Sequence, residues 1–145
     1  MAKAVNSPKK TIMVLPDFGK VPPQALDMEE AVLGAAMLEK ESVITILDIL
    51  KPESFYKEAH QKIFKAITDL NAREYPVDLY TVTEELRANG LLESVGGPVY
   101  LTQLTAKIVS AANADYHARI VAQKYIQREL IRVSTMIQTR SFDDT

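Results

Sequence analysis

Residues 111–140 read AANADYHARIVAQKYIQRELIRVSTMIQTR, a stretch without a glycine or a proline. Nothing in it breaks a helix, so it predicts one rod of about 25 residues, roughly 38 Å at the usual rise per residue, capped by Ser110 or Asn113. Along it Ile126, Leu130, Val133 and Ile137 follow at steps of four, three and four, the seam of a coiled coil or helical hairpin. Ile120 and Ile131 lie eleven positions apart and nearly eclipse one another on an adjacent face. A rod with two apolar faces needs two apolar partners, and the expectation is that a second chain covers part of them.

Upstream, the chain reads as a series of shorter helices. Asp27-Met28-Glu29-Glu30 has the form of a capping box. Behind it Met28, Val32, Leu33, Ala35, Ala36 and Met37 give a broad apolar face running to about Leu38. Ser42 is expected to cap a second helix carrying Val43, Ile46, Leu47 and Leu50, which Pro52 ends because proline disfavours helical geometry at the residue before it. A third helix from about Tyr56 to Arg73 turns Ile63, Phe64, Ile67 and Leu70 inward. Pro76 and Asp78 open a fourth, with Leu79, Val82 and Leu86, which closes at Asn89-Gly90. Gly96-Gly97-Pro98 is expected as a hinge leading into a fifth helix built on Val99, Tyr100, Leu101, Leu104 and Ile108. The core candidates are Val32, Leu33, Ile46, Leu47, Ile63, Phe64, Ile67, Leu86 and Leu104. The fold class is therefore all-α: a flexible tail over residues 1–23, a head of about five helices over 24–110, and a long helix over 111–145 that is the first arm of a hairpin. The tail holds four prolines and no sustained period, with Ile12-Met13-Val14-Leu15 as its one apolar run; lacking arginine, it does not fit a mitochondrial presequence. The ending at Phe142-Asp143-Asp144-Thr145 is expected to be a cut within something longer, before the second arm.

Composition narrows the function. With 145 residues, 47% of them hydrophobic and 25% charged, the chain has enough apolar material for one sizeable core. Without cysteine there is no disulfide, thiolate nucleophile or cysteine-ligated metal, which points to a reducing, cytoplasmic setting. No apolar run approaches a membrane span. A net charge of −2 argues against a basic nucleic-acid glove, although Arg119, Lys124, Arg128, Arg132 and Arg140 on the long helix offer an alternative reading as a DNA-binding stripe, interrupted by Glu129. No Walker A loop is present, and Gly96-Gly97 lacks the rest of a dinucleotide fingerprint. The two histidines, His60 and His117, fall on different helices; His60 reads as a hydrogen-bonded structural residue near Phe64 and His117 as a solvated flank. The acid pairs Glu29-Glu30, Glu84-Glu85 and Asp143-Asp144 read as caps and solvated faces. The expectation is no catalysis, no metal and no cofactor.

Six ordered runs resemble one family, the amino-terminal domain of DnaB-type bacterial replicative DNA helicases. They are Val21-Pro22-Pro23-Gln24-Ala25-Leu26 with Glu29 and Val32-Leu33-Gly34; Phe55-Tyr56 with His60-Gln61-Lys62-Ile63-Phe64; Pro76-Val77-Asp78-Leu79 with Thr81-Val82; Ser94-Val95-Gly96-Gly97; Tyr100-Leu101; and Ala111-Ala112-Asn113 with Tyr116 before Arg119-Ile120-Val121. The resemblance covers residues 21 to about 133. It implies a helical head and a two-helix hairpin whose pairing between protomers builds the collar of a hexamer, and a docking platform for primase. The implied partners are a second copy of the chain, primase and, as a further candidate, a helicase loader, with DNA engaged only through the full-length ring. Combined with the two-faced helix, this nominates Ile126, Leu130, Val133 and Ile137 as the pairing seam, and Tyr100, Ile120 and Ile131 as apolar anchors of a docking face. The ATP-dependent motor of the family would lie beyond Thr145.

Overall fold

The computed structural model describes residues 20–108 and 110–143. Every regular element in them is helical: α1 (Leu26–Leu38), α2 (Lys40–Ile49), α3 (Glu58–Ala72), α4 (Leu79–Ala88), α5 (Gly97–Ala106) and α6 (Ala114–Ser141), with 3-10 turns at Pro52–Ser54 and Glu93–Val95. The all-α expectation holds, with five short helices before a long sixth. Of the expected tail, residues 1–19, including Ile12-Met13-Val14-Leu15, lie outside the described residues, as do Asp144 and Thr145.

Local chemistry explains most of the helix ends. Asp78 accepts the Thr81 amide at 2.8 Å while the Thr81 hydroxyl accepts the Asp78 amide at 2.9 Å, a reciprocal cap that starts α4 where expected. Gly90, at φ 71°, follows its end in the left-handed conformation that costs glycine least. The α6 helix is 28 residues long, somewhat more than expected, and opens with the Asn113 carbonyl accepting the His117 amide at 3.0 Å.

Three starts differ from the sequence reading. The α1 helix begins at Leu26, because the Ala25 carbonyl accepts the Met28 and Glu29 amides at 3.0 Å each; Asp27 is not its cap. Ser42 does not cap α2 but is buried inside it, since the Glu39 carbonyl takes the Ser42 amide at 3.1 Å and starts the helix three residues earlier. The α3 helix starts at Glu58 and not at Tyr56, because the amides of Tyr56 and Lys57 donate to the Glu29 carboxylate at 2.7 and 3.4 Å. Gly96-Gly97, expected as a hinge, forms a hydrogen-bonded left-handed turn in which Gly97 donates to the Leu92 carbonyl at 2.9 Å, with Pro98 in the first turn of α5.

The chain divides into two units. The larger, Gln24–Tyr125, holds α1 to α5 and the start of α6. Its centre is α1, against which α2, α3 and α5 pack, and α4 closes on α3. Val32, Leu33, Ala36, Ile46, Ile63, Phe64, Ile67 and Leu86 are fully buried and Leu104 nearly so, as expected, while Leu47 is half-buried. Gly34 permits the close approach of α1 and α5, for a methyl there would land on the Leu104 carbonyl oxygen and the Ile108 side chain. The smaller unit comprises Met1–Pro23 and Ile126–Thr145; among its described residues Arg128 donates to the Pro23 carbonyl at 2.8 Å.

Candidate interaction surfaces

The two parts of α6 differ in what they bury. Ala114, Ala118 and Val121 are core residues of the larger unit. From Ile126 to Asp143 no residue is buried, although the apolar side chains continue. Ile126, Leu130 and Ile137 are 57%, 65% and 58% exposed, and Val133 is half-buried. At steps of four, three and four these four side chains share one face of the helix, the unpartnered seam that the sequence pattern outlines. Ile131 is also exposed, on the neighbouring stripe, and Ile120 is half-buried in the larger unit. Met136, three residues after Val133, adds an exposed thioether to the apolar surface and was not among the sequence candidates.

The basic residues of α6 make a poor stripe. Arg119 is paired with Asp115 at 2.9 Å and Arg132 with Glu129 at 2.8 Å, both on the same helix. Arg128 is engaged by Pro23. Phosphate-dominated binding requires cations free to replace counterions, and Arg119, Arg128 and Arg132 carry their own partners.

Tyr100 lies in a different environment, half-buried in a polar hub formed by α1, α3 and α5. Its hydroxyl is 2.7 Å from His60 Nε2, 3.4 Å from Lys57 Nζ and 3.5 Å from a Glu30 carboxylate oxygen. His60 has no exposed surface, and its Nδ1 lies 2.7 Å from Glu29 Oε1; Glu29 is 1% exposed. Lys57 Nζ sits 4.8 Å above the Tyr100 ring. At the rim Lys107 donates to Glu30 at 2.7 Å. Burial works to raise the Glu30 carboxyl, but the Lys107 ammonium outweighs it and the group titrates below its ordinary value. The Tyr100 phenol is pushed up to about 12 by burial and then by the negative charge of Glu30. Among the described residues no cluster of metal-binding side chains forms.

Residues 21–123 match the DnaB-like helicase N terminal domain family. The chain belongs to this family. It is 50% identical over 125 residues to the replicative DNA helicase DnaB of Rhodothermus marinus, covering 86% of this chain and 13% of that protein. It is 48% identical over 118 residues to the replicative DNA helicase DnaB of Geobacillus stearothermophilus, covering 81% of this chain and 26% of that protein. The crystal structure of the N-terminal domain of DnaB helicase from Mycobacterium tuberculosis superposes with a TM-score of 0.80 at 41% identity, over 84% of this chain and 88% of that one. The chain thus spans about a quarter or less of the length of these curated helicases.

In this DnaB-type domain the hub draws on Glu29, His60 and Tyr100, each within a run that carried the family resemblance. The reading of Glu29 as a solvated capping acid is corrected by its burial. The signal lay in spacing: Glu29 precedes Val32, Leu33 and Ala36 by three, four and seven residues, and His60 precedes Ile63, Phe64 and Ile67 by the same steps. Both polar residues stand on the apolar stripes of their helices, so packing those stripes on one another brings them together. Tyr100, expected as an exposed anchor, is tied inward through its hydroxyl. Among the described residues no helix is long and apolar enough to cross a membrane.

Proposed function

We propose that this DnaB-type domain is a non-catalytic, cytoplasmic interaction module of a replicative DNA helicase. It pairs with a second copy through the α6 seam on the way to a hexameric collar, and it offers primase apolar anchors, Tyr100 and Ile120 on the larger unit and Ile131 on the smaller. The observation that carries the reading is the seam: Ile126, Leu130 and Ile137 present large apolar side chains to water on one helix face, in a stretch with no buried residue. Contiguous apolar surface of this kind is what a partner helix covers. The division into a head over 24–110 and the first arm of a hairpin over 111–145 belongs to the same proposal, as does a helicase loader as a further partner. The absence of a Walker A sequence from these 145 residues supports assigning nucleotide hydrolysis, and with it the handling of DNA, to the rest of a full-length helicase.

The test is paired. Light scattering across concentration on the wild-type chain and on Leu130→Asp should show a mass that rises for the first and stays monomeric for the second, since a charge placed in an apolar seam goes unpaired there. Primase binding measured on Ile131→Ala and Tyr100→Ala should weaken by on the order of 1 to 3 kcal/mol each. Equal masses for wild type and Leu130→Asp at every concentration overturn the seam, and unchanged primase affinity overturns the docking face.

A further inference from the structure

The hub around His60 buries two ionisable side chains, Glu29 and His60, beneath Tyr100. Burying a carboxylate and an imidazole carries a desolvation penalty that apolar residues of similar volume would avoid. The Glu29 carboxylate is nevertheless fully committed: one oxygen takes the Tyr56 amide at 2.7 Å, the other faces His60 Nδ1 at 2.7 Å and the Lys57 amide at 3.4 Å. With a neutral imidazole the Nδ1 hydrogen goes to Glu29, which leaves Nε2 as the acceptor and the Tyr100 hydroxyl as the donor at 2.7 Å. The phenol's single hydrogen then goes to Nε2 in preference to the Glu30 carboxylate 3.5 Å away, and the phenol oxygen's lone pairs face Lys57 Nζ. The His60 and Tyr100 rings are almost parallel, 6° apart, and Gly96 makes room for the Tyr100 side chain, since a Cβ at Gly96 would come within 2.8 Å of the Tyr100 Cβ and 3.1 Å of its Cγ.

We propose that the buried Glu29–His60 pair is a positioning element for partner docking, which holds Tyr100 in one orientation so that its ring meets the partner already ordered. The inference rests on the reading of Tyr100 as part of the primase-docking face. Its physical basis is preorganisation. A half-buried aromatic that is free to rotate loses that freedom on binding, whereas one tethered through its hydroxyl to a buried base has already lost it. Tyr100→Phe keeps the ring and removes the tether. His60→Gln keeps a polar group in the pocket and removes the aligned acceptor. Each is expected to weaken binding by roughly two- to tenfold, the range that ordering a single side chain accounts for.

Primase affinity is measured by calorimetry on the full 145-residue chain with the primase of the same organism, for wild type, Tyr100→Ala, Tyr100→Phe, His60→Gln and the Tyr100→Phe/His60→Gln double variant. The expected result is that the double variant binds no more weakly than either single one, because both changes cut the same link. Nitrogen NMR of His60 in the unbound wild type should show Nε2 as the unprotonated acceptor, with its signal moved in Tyr100→Phe, a readout that general loosening of the core would not produce. Wild-type affinity in Tyr100→Ala overturns the docking face and the inference with it. Weakened Tyr100→Ala beside unaffected His60→Gln, or additive losses in the double variant, overturns the inference alone. Where His60→Gln melts too early to titrate, Tyr100→Phe decides, and its binding like wild type overturns the proposal.

Discussion

Phe64 has no exposed surface, and its ring lies 4.9 Å from that of Phe55, at the junction of α3 with the loop before it. Phe64→Ala should cost about 3 to 5 kcal/mol in denaturant unfolding, the lost transfer energy plus that of the cavity left behind; a loss below about 1 kcal/mol would mean the site refills. Tyr100 gives a pH-dependent prediction. A phenol raised to about 12 in the folded chain from an unfolded value of 10.0 contributes stability that is complete below pH 10 and disappears as the pH climbs towards 12. Ultraviolet titration should show a late-titrating phenol in the wild type that is absent from Tyr100→Phe. The stability difference between those two chains should narrow over the same alkaline window. A phenol titrating at its ordinary value would contradict the hub. Phe64 was legible from the period of α3. The partners of Tyr100 were not, because they come from positions 40 and 70 residues away along the chain.

At the scale of elements, the contact of α1 with α5 depends on what is missing at Gly34. Alanine is the better helix former by about 1 kcal/mol, so local propensity alone would make Gly34→Ala stabilising. The structure reverses the sign, since the added methyl meets the Leu104 carbonyl oxygen, a backbone atom that cannot move without its helix. Gly34→Ala should therefore destabilise by about 1 to 3 kcal/mol, as overpacked cores do. Thermal unfolding beside Asp78→Ala, which loses about 1 kcal/mol of cap, gives the comparison. A raised melting temperature in Gly34→Ala would show that α1 and α5 can part. The start of α4 was readable because its cap is built from neighbouring residues, Asp78 and Thr81. The start of α3 was not, since the Glu29 carboxylate draws in the amides of Tyr56 and Lys57 and delays it by two residues; α1 and α2 open on the backbone carbonyls of Ala25 and Glu39, with no side-chain cap to read.

For the molecule as a whole, the contrast lies between a closed core and an open helix face. The larger unit buries its apolar stripes without help, whereas α6 from Ile126 onward does not. Two outcomes follow for the purified chain. Its circular dichroism should correspond to roughly 60 to 70% helix, about twice the share typical of globular domains. ATP turnover should be absent, because no phosphate-cradling loop is encoded; activity that survives repeated chromatography would contradict this. Leu130→Asp should keep the same spectrum, and the melting temperature that the wild type shows at concentrations where it is monomeric, while losing self-association, since the side chain it replaces is already 65% exposed. A collapse of the helical signal would instead place Leu130 in the core.

The sequence by itself determined the all-helical class, the stripes of the core, the cap at Asp78 and the apolar helix face from Ile126 to Ile137. All of these are written in spacings of three and four residues, which a helix converts into faces whatever surrounds it. Family membership was legible for a related reason, since its motifs are short local runs in a fixed order. Only the tertiary structure decided that Glu29 is a buried partner of His60 and that Tyr100 is tied inward. It also decided that α1 and α5 meet at Gly34. A carboxylate one turn into a helix looks the same in sequence whether it faces water or a histidine. The difference is desolvation and pairing, which come into being when distant stripes pack together.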